Sequence, residues 1–335
     1  MPNEPLLEIK SLKKYFPVKK SSLFDKRRHL MAVDDIDLKI RPGETLGIVG
    51  ESGCGKSTLA KTIARLYEHT SGQIFFKNTE ITLLSQKQLQ PLRPKIQYIF
   101  QDPYESLNPR HTVANILEEP FIIHTDLSPL ERKIEVKKLL EKVGLAPDSD
   151  QKYPNEFSGG QRQRIGIARA IALKPEILIC DEPVSALDVS VQSQIINLLI
   201  ALQQELNIAI LFIAHDLAVV KHISDRVAVM YLGKIVESAT SDELFKTPRH
   251  PYTQFLLDAI PNPNPAIKRV KRRIQGELPS PIDPAPGCRF QSRCPMATDQ
   301  CKSLLPELLS LSDKHSVACH HQEDSAGNWS SPWAS

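Results

Sequence analysis

The sequence lacks any stretch long and apolar enough to cross a membrane. No segment approaches the roughly 18 apolar residues that a spanning helix needs. The richest apolar run, residues 195–202, is short and interrupted by Asn197, so it predicts a core helix. The first residues also lack the basic-then-apolar order of a secretory signal peptide. These absences predict a protein kept in the cytosol that reaches a membrane only through a partner.

Excess charge and internal repeats are also lacking. The formal net charge of the 335 residues is only +3, which is too small to indicate a nucleic-acid partner. A basic cluster at residues 268–273 is interpreted as a solvated linker segment. Hydrophobic residues make up 41% and charged residues 24%, as in ordinary globular proteins. A chain of this length buries a sizeable core without disulfides.

Cysteine is rare until the last fifth of the chain. Two of the six cysteines, Cys54 and Cys180, lie alone in the sequence. The other four are Cys288, Cys294, Cys301 and Cys319. In a reducing compartment such a cluster favours metal binding over disulfides.

Short apolar runs alternate with helical stretches, which predicts an α/β core. Runs of the kind buried in parallel sheets are 45–49, 96–100, 177–180 and 209–214. Residues 7–10, 33–40 and 227–237 also have strand character, and a helix is expected from Lys56 to about Leu66. The stretch 112–144 has helical spacing and is interpreted as an insertion into the core.

Residues 50–57, Gly-Glu-Ser-Gly-Cys-Gly-Lys-Ser, match the pattern of a phosphate-binding loop between a strand and a helix. Glycines allow the backbone N–H groups to turn towards phosphates, and the helix N-terminus adds a positive dipole end. Lys56 supplies a cation to the outer phosphates, and the Ser57 hydroxyl is suited to bind Mg²⁺. This pattern predicts a nucleotide site.

A second acidic motif completes the predicted site. The apolar run 177–180 ends in Asp181 and Glu182. An acid at the carboxyl end of a buried strand is placed to hold Mg²⁺ or its water, which we expect of Asp181. The neighbouring Glu182 is then placed to polarise an attacking water as a general base.

The segment Phe-Ser-Gly-Gly-Gln at 157–161, followed by Arg-Gln-Arg, resembles the signature motif of ABC ATPases. Other family features follow in order: Gln101 is similar to the Q-loop glutamine, residues 185–188 to the D-loop and His215 to the switch histidine. Tyr15 resembles the aromatic residue that stacks on adenine, with Phe16 as its rival. The resemblance implies a P-loop NTPase with a RecA-like core, an antiparallel β subdomain, a helical subdomain and a small C-terminal cysteine module.

The resemblance also implies a role for each site residue. Glu182 and His215 are implied to be catalytic. ATP contacts are implied for Tyr15, Gly50, Ser52, Gly53, Cys54, Gly55, Lys56, Ser57, Thr58, Gln101 and Asp181, and Mg²⁺ ligation for Ser57, Gln101 and Asp181. Contacts to ATP held by an opposing domain are implied for Ser158, Gly159, Gly160, Gln161 and Asp188.

Within the family, the chain is most similar to the ATPases of dipeptide, oligopeptide and nickel importers, and to the second ATPase of a peptide permease. Three segments carry the first likeness: residues 101–110, 181–190 and 249–253. Residues 13–18 and the C-terminal cysteine module carry the likeness to the second ATPase. The resemblance implies a heterodimer with a second homologous ATPase, two membrane permeases and an external peptide-binding protein. It places the chain on the cytoplasmic face of the membrane as a peripheral subunit. The complex that it powers is implied to import dipeptides or short oligopeptides, with nickel or another small solute as the alternative.

The expected domain boundaries follow from composition and from the resemblance. An ATPase domain is expected over residues 1–260, with its helical subdomain at about 102–170. Seven prolines between 261 and 286 suggest a linker at 261–280, followed by the cysteine module at 281–321 and a disordered tail at 322–335.

The four clustered cysteines leave several metal interpretations open. Their spacing, C-x5-C-x6-C-x17-C, lacks the closer pairs that zinc usually takes. The peptide-permease family carries a 4Fe-4S cluster at this pattern in some members, so iron–sulfur is favoured over zinc or no metal.

Two rival functions differ in class from transport. A DNA-repair or translation ATPase would be expected to show a long coiled coil or a second cassette, and the sequence has neither. An iron–sulfur protein with a merely regulatory nucleotide site would not need every catalytic position filled, Glu182 included.

Overall fold

The structure is a computed structural model that describes residues 4–19, 27–102, 106–259 and 277–321. The tail predicted at 322–335, the basic cluster at 268–273 and the linker up to residue 276 lie outside the described residues. Among those described, no helix combines the length and apolar character needed to cross a bilayer.

Within the described residues, twelve strands form two sheets. The strands are β1 (Leu7–Pro17), β2 (His29–Ile40), β3 (Thr45–Val49), β4 (Ser71–Phe76), β5 (Thr79–Glu80), β6 (Ile96–Ile99), β7 (Ile177–Asp181), β8 (Ala209–Ile213), β9 (Arg226–Tyr231), β10 (Lys234–Thr240), β11 (Leu309–Ser312) and β12 (His315–Val317).

The described α-helices lie between and around the strands. They are α1 (Lys56–Ile63), α2 (Gln86–Leu89), α3 (Val113–His124), α4 (Pro129–Lys142), α5 (Gly159–Ile171), α6 (Val189–Leu206), α7 (Leu217–Ile223), α8 (Ser241–Lys246), α9 (Pro251–Asp258) and α10 (Asp299–Ser303).

The main sheet has eight strands in the order β11-β12-β10-β9-β3-β8-β7-β6. Its centre is parallel, because β3 pairs in parallel with both β8 and β9, and β7 pairs in parallel with β8 and β6. Every residue of β3, β7 and β8 is buried, as expected for a sheet covered on both faces. The carboxyl ends of these strands share one edge, where Asp181 is paired with Ile213. The predicted α/β core is confirmed.

A second sheet of four antiparallel strands, β2-β1-β4-β5, lies beside the first, as predicted for the antiparallel β subdomain. Both β1 and β2 are longer than the sequence suggested. Their inner residues, including Leu12, Val33 and Ile36, are fully buried in one hydrophobic cluster with Leu59 of α1. This packing fixes the helix that follows the phosphate loop against the small sheet.

Helices α3, α4 and α5 pack together over the region that the sequence marked as helical. Leu117, Val136, Leu140 and Ile165 are buried within this group. Helix α4 begins with a capping box between Ser128 and Glu131, which satisfies two otherwise free N–H groups.

The segment expected to have strand character at 227–237 contains two strands. Strands β9 and β10 pair antiparallel and are joined at Leu232 and Gly233, which have φ angles of 41° and 82°. Two consecutive left-handed residues are typical of a tight hairpin turn. Because apolar residues flank the turn on both sides, the sequence did not indicate it.

The C-terminal cysteine region packs directly onto the cassette. Strand β12 pairs with β10 and extends the main sheet, while β11 covers β12 at the edge. Phe290 is 1% exposed and contacts Tyr231, Tyr252 and Phe255 of the same hydrophobic core. Residues after the expected linker thus belong to the core that includes β9 and α9.

Candidate active site

The phosphate loop leaves β3 at Val49 and enters α1 at Lys56, as the sequence predicted. The Lys56 side chain is 3% exposed, and its Nζ donates to the carbonyl oxygens of Gly50 and Glu51 at 2.8 and 3.0 Å. The ammonium is therefore folded back onto the loop that would surround a phosphate. Cys54 is buried beside it, and burial raises the pKa of its thiol.

Two glycines of the loop are required by close backbone approaches. A Cβ at Gly55, where φ is 108°, would lie 1.9 Å from the carbonyl oxygen of Ala32. A Cβ at Gly50 would lie 2.1 Å from the carbonyl oxygen of Met230. The loop therefore rests on both sheets, and side chains at these positions would force it away from them.

Ser57 and Asp181, two of the predicted Mg²⁺ ligands, are brought together. The Ser57 hydroxyl donates to Asp181 Oδ1 at 2.8 Å, and the Tyr98 hydroxyl donates to Oδ2 at 2.7 Å. Asp181 is 2% exposed, and both carboxylate oxygens are therefore oriented from within the chain. Burial, followed by the neighbouring Asp181, raises the pKa of Tyr98, so this phenol remains a donor.

Tyr98 was missed by the sequence analysis. It lies on β6, paired with Ile179 of the neighbouring strand β7. The available signal was a single hydroxyl-bearing residue in an apolar run, and only the order of the strands shows that it faces Asp181.

Glu182 is met by both Gln101 and His215. Gln101 Nε2 donates to Glu182 Oε2 at 3.2 Å, and His215 Nδ1 lies 3.5 Å from the same oxygen. The predicted third Mg²⁺ ligand, Gln101, thus contacts Glu182. Together with Ser52, Asp102 and Ser185, these side chains line an open recess beside the phosphate loop.

The backbone of Glu182 is unusual for a residue with a side chain. Its φ is 47°, in the left-handed region, and its N–H donates to the carbonyl of Ile213 at 3.0 Å. Such conformations cost free energy and persist where the surroundings impose them, often at functional sites. The strained turn directs this carboxylate out of the end of β7 into the recess.

The signature segment forms the N-terminus of α5. Ser158 is the N-cap, and a capping box links it reciprocally to Gln161. Gly160 is buried, and a Cβ there would lie 2.4 Å from Val191 Cγ1 of α6. Ser158 and Gln161 are exposed, and Asp188 at the start of α6 is exposed as well. The segment therefore presents a helix N-terminus, which favours an anion, outwards.

The two candidates for the adenine contact differ in their surroundings. The Tyr15 hydroxyl donates to Asp34 Oδ1 at 2.5 Å, and Asp34 also pairs with Arg289 at 2.8 Å. Burial acts to raise the pKa of Asp34, but the bonds from Tyr15 and Arg289 hold it below its usual value. Phe16 instead makes an edge contact with Tyr67, which follows α1. The assignment of Tyr15 stays a prediction.

The four C-terminal cysteines influence one another electrostatically. Burial, with a smaller contribution from neighbouring cysteines, raises the pKa of Cys294 to about 11 and that of Cys319 to about 12. Within residues 4–19, 27–102, 106–259 and 277–321, however, no group of three or more histidine, cysteine or acidic side chains is arranged to hold a metal. The thiols thus fit a metal centre in number and proximity, but not in arrangement.

A phosphate loop after β3 of a parallel sheet, with two acids at the end of β7, which is separated from β3 by β8, defines a P-loop nucleotide hydrolase. Residues 33–185 match the family model described as "ABC transporter", and residues 236–301 match the model described as "oligopeptide/dipeptide transporter, C-terminal region". The chain belongs to the ATP-binding subunits of ABC transporters and is an ATPase.

Curated relatives match over nearly the whole chain. The oligopeptide transport ATP-binding protein AppF of Bacillus subtilis is 52% identical over 321 residues, covering 95% of this chain and 97% of the relative. The oligopeptide transport ATP-binding protein OppF of Escherichia coli is 50% identical, covering 94% and 95%. The dipeptide transport ATP-binding protein DppF of Haemophilus influenzae is 48% identical, covering 95% and 97%.

Solved structures match the cassette. A dimeric ATP-binding cassette, MJ0796, in a post-hydrolysis state with ADP and phosphate, has a TM-score of 0.63 at 28% identity, covering 70% of this chain and 98% of that chain. The protein cbiO1 of Clostridium perfringens, part of an ABC transporter complex, has the same TM-score at 29% identity, covering 73% and 92%.

Proposed function

We propose that this ATPase powers the import of dipeptides or short oligopeptides across the cytoplasmic membrane. The observation that carries the proposal is the relationship to peptide-transport ATPases at about half identity over nearly the full chain, C-terminal region included. Membrane permeases are its expected partners, and the chain would lie against them at the cytoplasmic face. An external peptide-binding protein would deliver the cargo, which this chain itself would not contact.

The ATP cycle would use a pair of domains placed head to tail. ATP and Mg²⁺ held by Lys56, Ser57 and Asp181 of one domain would be covered by Ser158 and Gly160 of the other. Support comes from the outward-facing N-terminus of α5 and from the dimeric state of the related cassette MJ0796. We propose that the partner is a second, homologous ATPase, which makes the pair a heterodimer.

Hydrolysis would depend on the side chains that line the recess acting together. Glu182 would accept a proton from the attacking water, and His215 would contact the γ-phosphate and keep Glu182 in place. Gln101, bound to Glu182 in this structure, would turn towards Mg²⁺ when nucleotide enters. ATP closes the pair and hydrolysis releases it, and this movement would drive the permeases.

The decisive experiment measures solute-stimulated ATP hydrolysis by the assembled complex. The tagged chain is purified from membranes of its own cells, the co-purified subunits are identified, and the complex is reconstituted in proteoliposomes. We expect dipeptides or oligopeptides with the external binding protein to stimulate ATP hydrolysis severalfold. Stimulation by nickel alone would instead support the metal-importer alternative, and the absence of any permease would favour a non-transport ATPase.

For the four cysteines we propose a 4Fe-4S cluster, with zinc or no metal as the alternatives. The number of cysteines, the burial of Cys301 and Cys319 and the electrostatic influence of the thiols on one another support it, although the side chains would have to rearrange around the cluster. Four thiolates brought together would repel one another without a cation. Anaerobically purified protein should be brown, with broad visible absorbance and about four irons per chain. A colourless, zinc-containing sample would support zinc, and a metal-free sample would remove both.

A further inference from the structure

A bidentate ion pair joins the cysteine-rich region to the phosphate loop. Arg293, directly before Cys294, places Nη1 2.7 Å from Glu51 Oε2 and Nη2 3.0 Å from Glu51 Oε1. The Arg293 side chain is only 8% exposed. Because a two-pronged contact fixes orientation as well as distance, a residue 242 positions later in the chain sets where Glu51 lies.

Glu51 is the second residue of the phosphate loop, and its backbone is held as well. Its N–H donates to the Tyr252 hydroxyl at 2.8 Å, and its carbonyl accepts from Lys56 at 3.0 Å. Lys56 must leave this carbonyl and that of Gly50 when it turns to a phosphate. Arg293 and Tyr252, both outside the loop, then remain to hold the turn in shape.

Arg293 is itself fixed by aromatic packing. Its Nη1 donates to the Tyr231 hydroxyl at 3.3 Å, and its guanidinium lies 5.9 Å from the centre of the same ring. Phe290 packs edge-on to Tyr231 at 5.2 Å and lies 5.4 Å from the ring of Tyr252. Arg293 and Tyr252, the two residues outside the loop that contact Glu51, therefore both pack in one buried aromatic cluster, which is formed by β9, α9 and the C-terminal region.

We propose that Arg293 is a positioning residue for ATP: it holds the phosphate loop in its binding shape from the C-terminal region. The proposal rests on the ATP site described above and deepens the proposed function. It gives the C-terminal region a direct part in nucleotide affinity, whether or not its cysteines hold a metal. The loop would be organised before ATP arrives, which reduces the ordering cost of binding.

The test compares variants of the full chain in ATP affinity and in turnover. We expect Arg293→Ala to raise the Kd for a fluorescent ATP analogue about tenfold, because a partly buried charged pair is lost. Turnover at saturating ATP in the assembled transporter should stay within about twofold, so that KM changes and kcat does not. Arg293→Lys, which keeps the charge but not the two-pronged contact, should recover part of the affinity.

A double-mutant cycle separates positioning from general loosening. Glu51→Ala should raise the Kd as Arg293→Ala does, and the double variant should be no worse than either single variant. Lys302→Ala is the charge-matched control, since Lys302 is an exposed cation of the same region that pairs with Asp299. Its Kd should equal that of the unmodified chain.

The proposal is overturned if Arg293→Ala lowers the melting temperature while the Kd stays within twofold, or if the single effects add. Should Arg293→Ala fail to fold, Arg293→Lys and Glu51→Gln provide the same comparison with smaller changes. These outcomes are independent of the transported solute. If the complex does not transport peptides, the expected Kd shift still tests the role of Arg293. If the Kd is unchanged, the proposal of peptide import is unaffected.

Discussion

The two halves of the proposed nucleotide site differ in how far one chain completes them. On the phosphate-loop half, Asp181 is oriented by Ser57 and Tyr98, and Glu182 by Gln101 and His215. On the signature half, exposed Ser158 and Gln161 bond to each other and leave the N-terminus of α5 facing outwards. The side chains of the first half are oriented by contacts within this chain. The second half is an exposed surface whose proposed role needs a partner domain.

The comparison is tested most strongly by Glu182→Gln, which removes the proposed base but keeps the shape of the phosphate-loop half. We expect ATP hydrolysis to fall by at least about a hundredfold, the usual contribution of a general base. ATP binding should persist and hold the paired domains closed, which size-exclusion chromatography with ATP would show.

The control for this variant is Glu176→Gln. Glu176 directly precedes β7, at the opposite end of the strand that leads to Glu182, and it pairs with Lys95. The Glu176→Gln variant loses the same charge far from the recess, so its rate of ATP hydrolysis should be unchanged. Normal turnover by Glu182→Gln would contradict the catalytic role.

Ser158→Ala addresses the signature half. The loss of an N-cap costs about 1 kcal/mol of helix stability, and the proposed contact to the partner's ATP is lost with it. We expect ATP-dependent pairing and hydrolysis to fall by about tenfold or more, with the Kd for ATP of the single chain unchanged.

Ser128→Ala is the matched control, because Ser128 caps α4 with the same reciprocal capping box. Both variants should lose similar thermal stability, and only Ser158→Ala should lose pairing. Equal losses of pairing in the two variants would show that Ser158 acts through helix stability alone.

A smaller effect is expected from the adenine contact. The loss of a stacked aromatic ring costs about 1–3 kcal/mol, so Tyr15→Ala should raise the Kd for ATP about fivefold or more. Phe16→Ala is the direct rival and should change the Kd less. The reverse order in a fluorescent-nucleotide titration would transfer the role to Phe16.

The smallest effect on turnover near neutral pH is expected from substitution of His250, which lies next to the phosphate-loop half through its contact with Tyr252. His250 Nδ1 accepts the N–H of Tyr252, whose hydroxyl holds Glu51. Burial lowers the pKa of His250 from 6.5 to about 4, against the opposing charge of Glu237. The unfolded chain therefore binds this proton more readily than the folded one.

The sign of the pH dependence follows from this difference. The stability contribution of neutral His250 is complete above pH 6.5 and falls as the pH drops from 6.5 towards 4, by roughly 3 kcal/mol at most. The melting temperature should thus fall more between pH 7 and 5 in the unmodified chain than in His250→Gln, whose amide keeps an acceptor. Equal falls in the two proteins would exclude His250 as a source of acid sensitivity.

The sequence predicted the parts of the site that lie within local motifs. The strand, loop and helix around Lys56, and the acids after β7, follow from apolar runs and glycines. Contacts that depend on strand order were not predictable in this way: Tyr98 reaches Asp181 only because β6 lies beside β7, and Arg293 reaches Glu51 across most of the chain. The turn at Leu232 and Gly233 was hidden between two apolar segments.

The position of β12 in the main sheet has a consequence for biosynthesis. Glu237 in β10 is fully buried, and His315 of β12 lies 2.7 Å from its carboxylate. On a ribosome, every nucleotide-site motif emerges well before the strand that covers this carboxylate. A nonsense codon after residue 260 would therefore leave all those motifs intact, yet release a polypeptide with an open sheet edge and an uncovered acid, a substrate for proteolysis and aggregation.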